Sequence, residues 1–359
     1  MMKKLIAMAL AAVMALSMVA CGGDAKETTA APAETTAAAA GETTAAPEKP
    51  VEAKKLLYVH GASDTSILQT TAEYYKSLIE ERTEGRYTIE IHPNFELGSL
   101  TESVQMIKSG DVHLSGVCLG SYYTDALAII DLPNAVPTIE DAYELYTQSE
   151  FRTYLDEALR AENIEMLDFG AVYFRQMTSN VPVNTADDIK GINIRTLENT
   201  YHTQYWSALG ANPSPLAWAE TYISLQQGLV DAQENPLDSI VGGKLYEVQK
   251  YVINTNHIVY TSPILVNGDF FNSLSAEDQE IFRQAGKETE EYVYNYAREF
   301  EATLAQQLKD NGMEFIELDA ATLGELKTRA ASVYDSIREV VGDETMDSFL
   351  AAIDSVTAK

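Results

Sequence analysis

Residues 190–236 read KGINIRTLENTYHTQYWSALGANPSPLAWAETYISLQQGLVDAQENP. Ile192-Asn193-Ile194-Arg195 alternates as a short strand and brings one arginine to a strand end, where an open α/β sheet commonly holds its ligand. A helix follows and closes at Gly210. Ala211 to Pro215, rich in Asn and Pro, reads as a turn. Trp218 enters a second helix that closes at Gly228, and Asn235 precedes Pro236, which presses the asparagine toward extended geometry. A cation, an aromatic ring and an amide thus converge in one segment.

Outward from this stretch, strands and helices alternate, the mark of an α/β lobe. Upstream, Lys55–Val59 is a short apolar strand, His60 to Asp64 a polar turn, and Leu68, Ala72, Tyr75 and Ile79 share a helix face. Tyr87, Ile89 and Ile91 alternate as a strand. Ser99 with Glu102 makes a capping-box pattern before a helix ending at Gly110, and Val112–Val117 returns as a strand. Helical periodicity covers Tyr143–Leu159, Ile164–Phe169 reads as a strand, and Tyr173–Met177 crosses toward a second lobe. Thr185 with Asp188 caps a short helix. Downstream, strands are expected near Tyr251–Ile258 and Ile264–Val266, so strand-rich segments flank the central stretch and the chain crossings near Tyr173 and Tyr260 make a hinge. Ser275 and Asp278 open a helix that runs to Asp310 unless Gly286 breaks it. A last strand at Phe315–Leu318 and helices over Leu323–Val341 and Met346–Val356 complete the pattern.

The N-terminus carries a different message. Lys3 and Lys4 precede an apolar run from Leu5 to Val19, so residues 1–20 read as a signal peptide, too short to span comfortably as a mature helix. Residues 21–53 are built from Ala, Thr, Glu and Pro with repeated ETTA, and such a composition lacks the apolar surface needed to fold; it reads as a tether or as an unstructured remnant. The chain holds 25 Lys+Arg against 54 Asp+Glu, a net charge of −29. Removing the signal would take Lys3 and Lys4 with it and leave 23 against 54, or −31. Phosphate attraction then has the wrong sign, which argues against nucleic acid and anionic lipid surfaces as partners. A small anion stays compatible, because charges beyond a Debye length of ~8 Å are screened and a few arginines can dominate within a cleft. With Cys21 and Cys118 alone, no disulfide framework is expected; Cys118, in a strand-like run, reads as a buried thiol.

The run KG-x-N-x-R, then GA-x-P-x-P, then LQ-x-G-x-VDAQENP resembles the DctP family, the solute-binding subunits of TRAP (tripartite ATP-independent periplasmic) transporters. Phe174-Arg175-Gln176-Met177-Thr178-Ser179-Asn180 is similar to that family's second arginine motif, and Leu245 to Lys250 with Thr255-Asn256-His257 continue in register, so the likeness spans roughly Lys54 to the C-terminus. It implies an α/β fold of two lobes, periplasmic-binding-protein-like (type II-like), with a hinge and a long helix bracing both lobes. On that reading residues 54–359 form the solute-binding domain, with lobe I at about 54–172 and 261–300 and lobe II at about 173–260 and 301–359. Met18-Val19-Ala20-Cys21 resembles a lipobox with Met in the usual place of Leu, which implies acylation of Cys21 and attachment to the outer face of the cytoplasmic membrane through the lipid alone; ordinary signal cleavage nearby is the alternative.

The resemblance also implies roles. Arg195 is the main partner of a ligand carboxylate and Arg175 assists, in keeping with a guanidinium whose paired donors match a carboxylate. Asn235 offers amide donors and an acceptor, or is simply a turn residue before proline. Trp218 covers the ligand, or packs two helices together. His60, Ser63, Tyr122 and Tyr123 are candidates for the first-lobe wall and equally readable as surface. Sialate-binding members carry a glutamate where this chain has Val117 to Ser121, which disfavours sialate, and Ala232 stands in place of the family's usual glycine. The implied function is capture of a small carboxylate, for example a C4-dicarboxylate or a sugar acid, and its delivery to the small and large permease subunits; no cofactor and no metal are called for. The alternatives are an exported binding protein serving an ABC transporter or a sensor, and a secreted hydrolase. Against the last, HExxH, CxxC and G-x-S-x-G are absent, and His60, His92, His113, His202 and His257 show no ligand spacing.

Overall fold

Strand and helix alternation builds two large sheets, each with one strand running against its neighbours, and a two-stranded sheet besides. The structure, a computed structural model, describes residues 53–358; the signal segment, Cys21 and all but the end of the tether lie outside them. The strands are β1 (Lys54–Val59), β2 (Tyr87–His92), β3 (Leu114–Ser115), β4 (Ile164–Asp168), β5 (Ala171–Phe174), β6 (Gln176–Ser179), β7 (Asn193–Thr196), β8 (Asn212–Pro215), β9 (Ala232–Asn235), β10 (Tyr251–Ile253), β11 (Val259–Thr261), β12 (Ile264–Asn267) and β13 (Glu314–Ile316). The first lobe's sheet runs β2-β1-β3-β12-β4 and the second's β13-β10-β6-β9-β7-β8. β12 is antiparallel to β3 and β4, and β6 to β9 and β10. Both reversed strands follow chain crossings: β6 enters the second lobe and β12 returns to the first. Between the lobes β5 and β11 pair antiparallel, with Tyr173 opposite Tyr260.

A single helix, Ala276–Asp310, carries the chain from the first lobe back to the second. At 1.5 Å per residue its 35 residues extend ~50 Å. Its start buries Phe282 and Ala285 among Leu56, Tyr58 and Tyr75 of the first lobe. Its end buries Val293, Ala297, Leu304 and Leu308 among Leu237, Ile240 and Leu245 of the second. Gly286 does not break it. There the helix backbone lies so close to β4 that an added Cβ would sit 2.7 Å from Leu167 Cβ and 2.8 Å from its carbonyl oxygen.

Several local expectations change. Asn212-Pro213-Ser214-Pro215 is not a turn but the edge strand β8, parallel to β7. Proline lacks the donor for a second neighbour, so an outermost strand suits it. The helical stretch over 143–159 is two helices, Ile139–Gln148 and Phe151–Arg160, parted where the Ser149 hydroxyl donates to the Leu145 carbonyl. The stretch over 323–341 likewise divides, into Ala320–Arg329 and Ala331–Val341. The last helix, Asp343–Thr357, returns to the first lobe instead of joining the second, because its apolar face has its partners there. Phe349 meets Phe151 at 4.6 Å and Tyr146 at 6.2 Å between ring centres.

Candidate ligand-binding site

Parallel strands β7, β8 and β9 end on the same edge of the second sheet, and antiparallel β6 begins there. That arrangement brings Arg195 at the end of β7, Asn235 at the end of β9 and Arg175 just before β6 to one place. A cavity of about 290 Å³ opens above this edge and is walled by both lobes. The second lobe supplies Arg175, Arg195, Leu197, Trp218, Asn235 and Tyr260; the first supplies Ala62, Leu68, Phe95, Leu100, Val117 and Cys118. The lobes touch beside it. Asp238 Oδ2 accepts from the Ile67 amide at 3.1 Å, and Asn199 Nδ2 donates to Asp131 Oδ2 at 2.9 Å.

Arg175 is 4 % exposed and tied to Glu234. Its Nε donates to Glu234 Oε2 at 2.5 Å, and its Nη2 donates to Glu234 Oε1 at 3.0 Å, to the Glu234 carbonyl at 2.7 Å and to Asn235 Oδ1 at 2.9 Å. Glu234 is fully buried and also meets His257 Nε2 at 3.0 Å. Burial alone would raise its pKa, but Arg175, His202 and His257 outweigh that and hold the carboxyl well below the usual range. Burial lowers the affinity of Arg175 for its proton as well, and Glu234 more than reverses it. The pair is a closed, self-neutralised unit.

Arg195 is buried to 2 % exposure and has no such carboxylate. Its Nε and Nη2 both donate to the Leu216 main-chain oxygen, at 3.0 and 2.6 Å. Leu216 directly follows β8, so the proline-rich edge strand places the carbonyl that orients this guanidinium. Burial pushes the Arg195 pKa down to about 10, with Glu234 opposing that shift and the like charge of Arg175 adding to it. Among the described residues that line the cavity, Arg195 is the cation without a carboxylate partner. A buried, oriented and uncompensated guanidinium is a seat for an anion.

The other candidates divide. Trp218 opens the helix Trp218–Gln226, is half-buried and lines the cavity, its ring lying over Gly243, where an added Cβ would come within 2.9 Å of Cη2 and Cζ2. Asn235 lines the cavity with its amide largely engaged: Oδ1 accepts from Arg175 and Nδ2 donates to Gln233 Oε1 at 2.6 Å. His60 and Ser63 lie outside the lining, where Gly61 and Ala62 form the wall instead. His60 turns into the fold and meets Gln69 Oε1 at 2.8 Å, with burial taking its pKa down to about 4; Ser63 meets Thr65 Oγ1 at 3.1 Å. Tyr122 and Tyr123 donate to the main-chain carbonyls of Cys118 and Val117 and likewise lie outside the lining. Cys118 is half-buried on the cavity wall rather than within a strand.

Sequence reasoning passed over Glu234 and Phe95. The first had a signal: Gln233, Glu234 and Asn235 are polar in a strand that is buried throughout, so each must find partners within the fold. Phe95 stood out less, as an aromatic in the polar run His92-Pro93-Asn94-Phe95-Glu96.

Residues 58–339 match the family described as bacterial extracellular solute-binding protein, family 7, DctP. The chain belongs to this family. Among its relatives is the C4-dicarboxylate-binding periplasmic protein DctP of Rhodobacter capsulatus, 30% identical over 292 residues that cover 80% of this chain and 86% of that one. A solved TRAP periplasmic solute binding protein from Ochrobactrum anthropi, with its C-terminus bound in the ligand-binding pocket, superimposes with a TM-score of 0.77 at 28% identity, over 86% of this chain and 97% of that one. Another, from Polaromonas sp. JS666 and bound to D-erythronate, gives 0.78 at 25% identity over 83% and 98%. As a family 7 member the chain is an extracellular solute-binding protein of the two-lobed α/β class. No helix among the described residues is long and apolar enough to cross a membrane.

Proposed function

We propose that this chain captures a small organic acid outside the cytoplasm, holds its carboxylate on Arg195, and passes it unaltered to the membrane subunits of a TRAP transporter. The observation that carries this reading is the contrast in charge at the cavity floor: Arg175 is neutralised by Glu234, whereas buried Arg195 is held only by a carbonyl. A ligand carboxylate would supply the missing counter-charge in bidentate geometry. The relatives fit this: one is named for C4-dicarboxylates and another holds D-erythronate, a sugar acid. Trp218 would cover the ligand, Asn235 would steady Arg175, and β5 with β11 would flex as the lobes close. Acylated Cys21 would keep the domain at the outer face of the membrane.

Gentle purification, denaturation and mass spectrometry test the proposal. Wild type is expected to release an organic acid that returns unchanged after re-addition, and Arg195→Ala to release none. Conversion of the acid to a product, or equal loading of both proteins, contradicts it.

A further inference from the structure

The cavity says more about the body of the ligand than about its head. Besides Arg195, the polar groups at the floor are already engaged within the protein, which leaves Asn94, Glu198 and the Tyr260 hydroxyl as the other polar side chains on the lining. Arg175 is closed on Glu234, and Asn235 is held between Arg175 and Gln233. The Ser99 hydroxyl caps its own helix with Glu102, and Ser239 Oγ meets Asp238 Oδ1 at 3.3 Å. What remains of the wall is chiefly carbon: Leu68, Phe95, Leu100, Val117, Leu197 and Trp218. The carboxylate nearest in sequence to Arg195, Glu198, is exposed and stands on the lining, where it would repel a second acid group.

Phe95 is built into this wall at a cost. It and Asn94 both hold left-handed backbone, with φ of 56° and 55°, uncommon for a bulky side chain. Strain of that kind persists only where the surroundings enforce it. Here the ring lies against Gly61, where an added Cβ would fall 2.1 Å from Cζ. The turn is shaped to set an aromatic ring on the cavity wall. The volume of about 290 Å³ sits near the low end of the range for small-molecule sites, ~300–1,000 Å³.

We infer that the preferred ligand is a monocarboxylate with an apolar body, such as a medium-chain or arylalkyl acid, and that the cavity discriminates against dicarboxylates and polyhydroxy acids. This rests on Arg195 as the carboxylate seat. A second carboxylate would be buried without a free cation, and a sugar acid's several hydroxyls would exceed the few polar partners that Asn94, Glu198 and Tyr260 offer, so rejection comes from unmet polar groups as much as from apolar fit.

Calorimetric titration of the wild-type protein, stripped of ligand by reversible unfolding, with octanoate, phenylacetate, adipate, succinate and gluconate tests it. Octanoate and adipate have the same number of non-hydrogen atoms and differ in whether the far end is apolar or charged. Octanoate or phenylacetate is expected to bind at least a hundredfold more tightly than the other three, and to lose that affinity in Arg195→Ala. If adipate, succinate or gluconate binds as tightly as the apolar acids and Arg195→Ala abolishes it, the inference fails and the carboxylate seat stands. If none of the five binds, or if Arg195→Ala binds them as wild type does, both fail.

Discussion

Arg175 and Arg195 flank the same strand, β9, at nearly equal burial, yet their surroundings differ in one respect. Arg175 faces Glu234 across hydrogen bonds of 2.5 and 3.0 Å, and Arg195 faces a carbonyl. The first arrangement satisfies itself and stiffens the floor of the cleft. The second leaves a positive charge in a low-dielectric place, a cost the fold bears until an anion arrives. An arginine motif alone does not say which residue meets ligand; the carboxylate opposite it, or the lack of one, does.

The comparison breaks most visibly at Glu234. Glu234→Gln should leave Arg175 buried and unpaired, lowering unfolding free energy by about 3–5 kcal/mol, measured by urea titration at pH 7. Because the Glu234 pKa is depressed in the fold, its stabilisation is present above the ordinary carboxylate range and fades as pH falls below it. The difference between wild type and Glu234→Gln should therefore shrink in acid. A variant as stable as wild type at pH 7 would mean the Arg175 cluster is not the self-neutralised unit described.

Asp168 sharpens the contrast from the other side. It is fully buried and lies beside Glu290. Burial first, then the charge of Glu290, raise its pKa well above the usual value. Such a carboxyl can keep its proton, an escape closed to Arg195. A raised pKa stabilises below the unfolded value and loses that contribution as pH rises. Asp168→Asn should match wild type near pH 4 and become the more stable of the two as pH rises toward 8. Thermal unfolding across that range checks it; parallel curves would count against it.

The smallest effect is at Gly243, whose φ of −80° tolerates any residue. Gly243→Ala would crowd the Trp218 indole, and also the Ser239 carbonyl at 3.1 Å, and displacing the ring should cost about 1 kcal/mol of affinity, roughly fivefold. Unaltered affinity would remove Trp218 from the ligand wall.

Much of this is legible in the sequence. Alternation marked the α/β class, the capping pattern of Ser99 with Glu102 is present as read, and the segment 190–236 does bring Arg195, Trp218 and Asn235 to one cavity. What could not be read was partnership at a distance. Arg175 is bound to Glu234 across two strands, and no local pattern encodes that register. Pro213 and Pro215 read as turn residues because propensity is local, while their tolerance on β8 depends on its being outermost. Phe95 owes its place to a left-handed turn, and His60 turns inward, because the strand-to-turn geometry presents Gly61 and Ala62 instead. The last helix reads as amphipathic in sequence, but only the aromatic cluster of Tyr146 and Phe151 says which lobe it covers.

The claim that Arg195 is the uncompensated charge a ligand completes is tested most directly by measuring binding and stability on the same variant. Arg195→Ala, titrated calorimetrically with the acid recovered from wild type, should lose about 2–5 kcal/mol of affinity, roughly 30-fold to several thousandfold at ~1.4 kcal/mol per tenfold. Its ligand-free unfolding free energy should stay within about 1 kcal/mol of wild type, since relief of the buried charge offsets the hydrogen bonds lost to the Leu216 carbonyl. Binding within about threefold of wild type, far below the tenfold step of ~1.4 kcal/mol, or a loss of affinity matched by an equal loss of stability, would contradict the account.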